Sequence, residues 1–583
     1  MAEAGRRWID PAPVDSERVR ELAAELGLKR EVAEILVRRG RGSPADARRW
    51  LRPRPSHRHP PEALPDMEAA ARRVEAAVDG GETILVHGDY DADGMCSAAL
   101  LTRGLRQLGA DARPFVPHRT EHGYDLGEAG LERAVEEGAS LILTADCGVT
   151  ALDAVERGRD AGLDVVITDH HQPGPRLPEA VAVVNPSRAD SEYPFGGLAG
   201  VGVAFKLLEA LFSRAGRPPE ELNQHLDLVG VGTVADRVPL VDENRVLVRA
   251  GLAALSRTRK PGLRALLDVA GWSDGEDLSS SVVSYGLAPR LNAVGRIADA
   301  NRGVRLLLTD DPDEARELAR ELERQNRERR DADGRVLAEA LERLESSYDP
   351  SRDRGVVLWG EDWHPGVIGI AASRVVEKIH RPAVLVTFRE GVGRGSGRSI
   401  DGFHLVEALG RCEGALERYG GHEMAAGLQV RRSQVEEFDE RFREVAGREL
   451  GESDLVPELA LDLKLPLSEA DRELHGWLEH LAPFGTENPR PVLASEGVRL
   501  ASTSRVGREG KHLKGRLVDD DGTELEAIGF GMGDRADELH LSARWDVAYQ
   551  LTSDSYRGRT RLQARLEDFR PGGSGPVEGA PGT

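Results

Sequence analysis

The sequence predicts a multidomain α/β protein that ends in a small β-barrel. Three observations carry this expectation. From residue 82, short apolar strands ("TILVHG", "SLILTAD", "DVVITD", "VAVVNP") alternate with helical stretches such as "ALDAVERGRDAG". That alternation implies a mostly parallel sheet covered on both faces. A second run of the same kind follows a long charged segment, in "GVVLWG", "PGVIGIAASRVVEKI" and "PAVLVTF". From about Leu455 the pattern becomes strand after strand. With 583 residues, one hydrophobic core is not expected to serve the whole chain.

Taken in order, residues 1–75 are Arg-rich and helical in pattern, with a break at "RPRPSHRHPPEALP". Residues 76–310 form the first α/β domain. Residues 311–347 form a connector, whose core from Asp313 to Glu345 would be a helix roughly 50 Å long that Gly334 could interrupt. Residues 348–450 form a second, smaller α/β domain. In 455–571, "ELALDLKL", "HLKGRLV", "ELEAIGF", "DVAYQLT" and "TRLQARLEDF" surround one helix near "EADRELHGWLEHL", which suits an OB-fold. Residues 572–583 are Gly/Pro-rich and expected to be disordered.

The net charge of −22 argues against a broadly basic coat protein for nucleic acid, and leaves room for a local basic groove. Cys96, Cys147 and Cys412 show neither zinc spacing nor a disulfide framework, which fits a reducing compartment. No apolar run is long enough to cross a bilayer, and "MAEAGRRWIDPAP" has no apolar signal core, so a cytoplasmic chain without membrane contact is expected. No internal repeat of 20 to 50 residues is visible.

The segment "VHGDYDADGM" carries Asp89, Asp91 and Asp93 on alternate positions behind His87. Carboxylates this close resist shared ionisation. Further polar groups follow later segments read as strands: Asp146 after "SLILTA", Asp169-His170-His171 after "DVVIT", and Asp236 after "LVGVGTVA". In open parallel sheets such loops converge on one crevice. Two divalent cations would supply the compensating charge; oxygen and imidazole donors suit Mn²⁺ and Mg²⁺. Two ions about 3.5–4 Å apart hydrolyse phosphodiesters. Singly, each piece has a plainer reading: Asp146 a helix cap, the His pair polar structure, Asp236 a turn before Pro239. An EF-hand is excluded, because its glutamate and glycine positions are missing.

"HGDYDADG", "TADCG", "TDHH" and "GTVADRVPL" resemble, in order, the four signature blocks of the DHH phosphoesterases. With "SYGLAPRLNAVGR", "WHPGVIGIAASR", "RGSGRS", "GGHEMAAG" and "PFGTENPRP", the chain is similar to the bacterial RecJ family from about residue 30 to 571. The resemblance implies a DHH domain, a DHHA1 domain and an OB-fold, and a 5′→3′ exonuclease specific for single-stranded DNA, acting in repair and recombination. It implies that His87, Asp91, Asp93, Asp146, His170 and Asp236 hold two cations, Asp146 bridging them. His171 would face the scissile phosphate, and Asp89 and Asp169 would orient ligands. Candidate DNA contacts are Arg119, Arg290, Asn292, Arg296, Ser396 and Arg398, with Gly420, Gly421 and His422 of "GGHEMAAG", and Lys511, His512, Lys514 and Arg557 in the barrel. Implied partners are single-stranded DNA with a 5′ end, a single-stranded DNA-binding protein and a RecQ-type helicase; the chain is expected to be a monomer. It lacks room for the extra C-terminal domain that some members carry. Two alternatives are a DHH-type phosphodiesterase of short oligonucleotides or cyclic dinucleotides, and a non-catalytic replication scaffold. The connector and barrel argue against the first, the complete carboxylate set against the second.

Overall fold

Five short strands run parallel in the order Asp111–Phe115, Thr83–Gly88, Leu141–Ala145, Asp164–Thr168, Ala182–Val184. They belong to a computed structural model that describes residues 5–573 except 120, 124, 273–277, 298, 557 and 558; Arg557 and the tail from 574 lie outside the described residues. Alternate side chains feed two cores. Ile84, Val86, Leu143 and Val166 pack with helices Met67–Asp79, Ala92–Gln107 and Gly200–Arg214. Leu85, Ile142, Val165 and Ile167 pack with helices Glu128–Glu136 and Leu152–Asp160. The first strand in sequence lies between the second and the third, so the chain crosses to the other side of the sheet there. A crevice opens at the carboxyl end of such a switch point. The edge strand Asp111–Phe115 has only one buried residue and includes Pro114, so it carries no apolar signal in the sequence.

One strand expected from sequence is a helix. "LVGVGTVA" lies in Leu226–Ala235, a helix whose residues are almost all buried, and Asp236 is its C-cap. A short continuous apolar run does not distinguish a buried strand from a buried helix. Here Gly230 lies against Gly251 closely enough that no side chain fits between the two helices.

The connector is one helix, Pro312–Ser347, unbroken at Gly334 and about 54 Å long. Ala315, Leu318, Ala319 and Leu322 enter the core of the first domain, whereas Val336, Ala340 and Leu344 enter that of the second. The second domain's sheet runs Arg418–Gly421, Ala425–Arg431, Val392–Arg398, Ala383–Arg389, Val356–Glu361, parallel only at the last pair.

These parts form one compact unit, Pro55–Val456 with Gly485–Asn488. Gly5–Arg54, Pro457–Phe484 and the chain from Pro489 form the other, so the segment read from sequence as 1–75 divides at Arg54. In the second unit, Leu493–Val506, His512–Val518, Glu524–Gly529, Arg559–Pro571 and Trp545–Tyr556 pair in turn, and the last returns to the first to close a five-stranded barrel. Leu493–Val506 went unread in the sequence because its outer half alternates with Arg, Ser and Thr; "ELALDLKL" supplies instead two short strands, Glu458–Ala460 and Leu463–Lys464. Glu458–Ala460 pairs with Arg7–Ile9, and Trp8 donates its indole N–H to the buried Asp568 at 2.8 Å. Among the described residues, no helix is long and apolar enough to cross a membrane.

Candidate active site

The strand ends bring three aspartates to one level. The backbone N–H of Asp89, Asp146 and Asp169 each continues the sheet, donating to Ala145 O, Thr168 O and Val184 O. Asp146 leaves its strand with φ +68°, a left-handed conformation that Asp and Asn tolerate better than most residues. Asp91 caps the helix Ala92–Gln107: its Oδ1 accepts from the N–H groups of Asp93 and Gly94 at 2.9 and 3.0 Å. Asp93 accepts from Gly200 N at 2.7 Å and Val201 N at 3.1 Å, the first amides of the helix Gly200–Arg214. Such amides are poised for a negative charge.

Three groups of ligand atoms result: Asp89 with Asp91 and Asp146; Asp93 with His170 and Asp236; and Asp146 with His170 and His171. His170 Nε2 lies 3.1 Å from Asp146 Oδ1 and 3.6 Å from Asp236 Oδ2. Asp169 is engaged within the protein. Its Oδ1 accepts from His170 N, His171 N and His171 Nδ1, and its Oδ2 from Val149 N. Burial alone would lower the His171 pKa, but the hydrogen bond and charge of Asp169 outweigh it and hold the imidazole above its ordinary value.

Asp89 and His87, read from sequence as an orienting carboxylate and a ligand, each have one buried atom without a hydrogen-bond partner, Asp89 Oδ1 and His87 Nε2. One Asp89 oxygen belongs to a ligand group, whereas among the described residues His87 belongs to none. His87 is fully buried; its Nδ1 lies 3.6 Å from Cys147 Sγ, and burial pushes its pKa down to about 4.

The residues of the "APRLNAVGR" block, expected from sequence to contact phosphate, all make contacts within the protein. Arg290 is buried, with its guanidinium on Glu323 of the connector helix at 2.7 Å and on Val269 O at 3.2 Å. Asn292 Oδ1 accepts from Ala92 N at 2.7 Å and so braces the aspartate turn. Arg296 donates to Gly366 O at 3.1 Å. Burial, and then the charges of Arg119, Arg329 and Arg398, pull the Arg296 pKa down to about 10.

Arg119 is exposed and lies over the Tyr90 ring at 5.0 Å. Arg398 donates to Ser396 Oγ at 3.1 Å, and both side chains lie against Gly369 in the first turn of the helix Ile368–Ile379. The glycines of "GVGRGSGR" have a packing reason: a Cβ at 393, 395 or 397 would run into Phe388, Leu428 or Leu405. Gly420, Gly421 and His422 are exposed on the hairpin between Arg418–Gly421 and Ala425–Arg431. Gly421, at φ +142° and against Ala425 O, is required by that turn.

Sequence reasoning missed Gly200 and Gly232. A Cβ at Gly200 would lie 2.6 Å from Asp146 Cγ, and one at Gly232 would lie 2.6 Å from Asp93 Oδ1. Their only signal was glycine inside apolar runs, of which the one holding Gly232 was read as a strand.

The DHH family, N-terminal domain, matches residues 83–233, the DHHA1 domain residues 352–448 and the RecJ OB domain residues 461–568. The "Single-stranded-DNA-specific exonuclease RecJ" of Bacillus subtilis is 36% identical over 571 residues, 97% of this chain and 71% of that protein. The chain belongs to the RecJ family. Crystal structures of Thermus thermophilus RecJ in complex with Mn²⁺ and with Mg²⁺ match with TM-scores of 0.82 and 0.76, at 34% and 32% identity. Each match covers 97% of this chain, and 79% and 78% of those chains.

The residues of this RecJ-family site fit divalent ions. Asp89 Oδ1, Asp146 Oδ1 and His170 Nε2 are buried without a hydrogen-bond partner, an arrangement that is costly unless a cation takes their lone pairs. Burial first, and then mutual repulsion, hold Asp89, Asp93 and Asp146 well above the ordinary carboxylate range. At these three positions the metal-free fold favours the protonated carboxyl more than the unfolded chain does. These groups' contribution to stability is present at low pH and is lost as pH climbs from the usual carboxylate range through the raised one. A divalent cation replaces those protons. The gain in melting temperature on adding Mn²⁺ is expected to be larger at pH 8 than at pH 6, with about 2.7 kcal/mol available at a hundredfold excess over the dissociation constant. Differential scanning fluorimetry at both pH values checks this, and equal gains would contradict it.

Proposed function

We propose that this chain is an exonuclease specific for single-stranded DNA that hydrolyses phosphodiester bonds in the 5′→3′ direction and releases 5′-mononucleotides. The observation that carries this reading is the convergence of Asp91, Asp93, Asp146, His170, His171 and Asp236 at one strand-end crevice. Asp91, Asp93, Asp146, His170 and Asp236 would hold two divalent ions, Mn²⁺ or Mg²⁺, and Asp89 adds an oxygen that we place ahead of His87. Bound there, the ions supply a water that is nucleophilic at neutral pH and offset the charge that develops on the phosphate. His171, oriented by its Nδ1 contact with Asp169 at 2.8 Å, would donate a hydrogen bond from its other ring nitrogen to a phosphate oxygen. Asp169 and Asn292 keep these groups in place.

Direction follows from how the end is held. Arg119, Arg398 and Ser396 would grip a 5′-terminal phosphate beside the N-terminus of the helix Ile368–Ile379, where backbone amides favour an anion. Both Arg296 and Arg398 are held below the usual guanidinium pKa, by burial first and then by neighbouring arginines, which a bound phosphate would relieve. Arg398→Ala is expected to slow degradation of 5′-phosphorylated strands about tenfold or more and to shrink their advantage over 5′-hydroxyl strands. Competition between the two ends reads this; an unchanged preference would place the pocket elsewhere.

The reading extends to a monomeric cytoplasmic enzyme of DNA repair and recombination, working with a single-stranded DNA-binding protein and a RecQ-type helicase. The decisive experiment offers end-labelled single- and double-stranded DNA with and without Mn²⁺. Mn²⁺-dependent mononucleotides from the 5′ end of single strands support the proposal. Products from the 3′ end, or equal attack on duplex, overturn it.

A further inference from the structure

The barrel carries an aromatic side chain that the sequence reading did not single out. Phe530 follows the strand Glu524–Gly529 and is 56% exposed, an unusual state for so large an apolar ring. It is held rather than loose. The His512 ring meets it in a T-shaped contact at 5.2 Å, and the Arg565 guanidinium lies over it at 5.5 Å. His512 is itself fixed, its Nδ1 accepting from Gly531 N at 3.1 Å. Gly507, at φ +81°, leaves the space that His512 occupies.

The surroundings are cationic. In the sheet register Ile528 stands between Lys514 and Arg565, two residues before Phe530. Lys514 and Arg565 are both exposed; Arg565 also reaches Glu567 at 4.0 Å, and Lys511, exposed beside His512, pairs with Glu509 at 3.1 Å. In a chain of net charge −22, an exposed aromatic ring just past a strand position flanked by two cations is a local exception. An exposed ring with a guanidinium over one face and a lysine two strands from that arginine matches one nucleotide of a single strand: the base on the open side of the ring, the neighbouring phosphates on the cations.

We infer that Phe530 is a base-stacking platform of the barrel, with Lys514 and Arg565 holding the adjacent phosphates of single-stranded DNA. The inference rests on the exonuclease reading for its substrate and names a site outside the acidic crevice. Stacking on any base requires no sequence recognition, as suits an enzyme that must accept every sequence.

Binding measured in EDTA keeps the test apart from hydrolysis. Phe530→Ala is expected to bind a long single strand about tenfold more weakly, and Phe530→Trp to bind as wild type does. A single 2-aminopurine moved along the strand should be quenched at one position by wild type and by Phe530→Trp, and at none by Phe530→Ala. Lys514→Ala and Arg565→Ala should each lower the salt dependence of binding by about 0.7 in log–log slope. With Mn²⁺ present, Phe530→Ala should raise KM and leave kcat unchanged. Wild-type affinity in Phe530→Ala, or the same quenching pattern in wild type and Phe530→Ala, would overturn the platform. A protein that binds and quenches in this way but releases no nucleotide with Mn²⁺ supports the platform and overturns the exonuclease reading instead.

Discussion

Asp146→Asn is expected to lower Mn²⁺-dependent cleavage by about a thousandfold or more while the protein stays folded. Asp146, like His170, belongs to two of the three ligand groups, and it is the carboxylate that joins the set of Asp89 and Asp91 to that of His170 and His171. Asparagine keeps the shape, and it tolerates the φ of +68° that alanine would adopt with strain. What it removes is charge. Because burial, and then the charges of Asp91 and Asp236, already disfavour ionisation at this position, the metal-free variant should melt no lower than wild type near pH 8. The melting gain on adding Mn²⁺ should fall with the activity. Near-wild-type turnover in Asp146→Asn would remove the two-metal assignment, and loss of activity through unfolding would show as a lowered metal-free melting temperature.

Gly200→Ala is expected to lower activity about a hundredfold and to weaken Mn²⁺ binding about ten- to a hundredfold, although it touches no charge. The added methyl would lie 2.6 Å from Asp146 Cγ, which must then move or push back the helix Gly200–Arg214. The same helix start donates Gly200 N to Asp93 Oδ2 at 2.7 Å, so one displacement disturbs two carboxylates. Overpacking of this kind costs about 1–3 kcal/mol of stability. Gly200 has no left-handed φ, so alanine meets no backbone penalty and the effect reports space alone. Gly202→Ala is the control: the three atoms nearest its Cβ would all belong to the Leu198 side chain, at 3.2 Å or more. Equal activity and Mn²⁺ affinity in the two variants would show that Gly200 does not shape the site.

Much of the site was legible before the fold was known. Asp91, Asp146 and His170 follow strands or open a helix, and parallel strands place their carboxyl ends at one edge, so the linear order of the blocks already implied a meeting point. The connector was readable too, since its apolar residues recur at helical spacing between two α/β patterns. Asp236 was read as the end of a fourth strand and reached the cluster from a helix. The apolar run before it satisfies either structure, and only packing of Gly230 on Gly251 selects the helix.

The rest depends on contacts between residues far apart in the chain. Asn292 was read as a candidate phosphate contact, and its separation of 200 residues from Ala92 hid the hydrogen bond by which it braces the aspartate turn. Arg290 looked free until the connector helix brought Glu323 to it. Asp89 and His87 lie two residues apart, and only the folded turn decides which side chain joins the ligand atoms. Gly5–Arg54 gives no local sign that it folds with a barrel beginning more than 400 residues later. The sequence by itself determined the residue types, their order along the sheet and hence the family and its chemistry. The tertiary structure alone decided which of those groups face one another, because hydrogen bonds, ion pairs and excluded volume act between neighbours in space and leave no periodic trace along the chain.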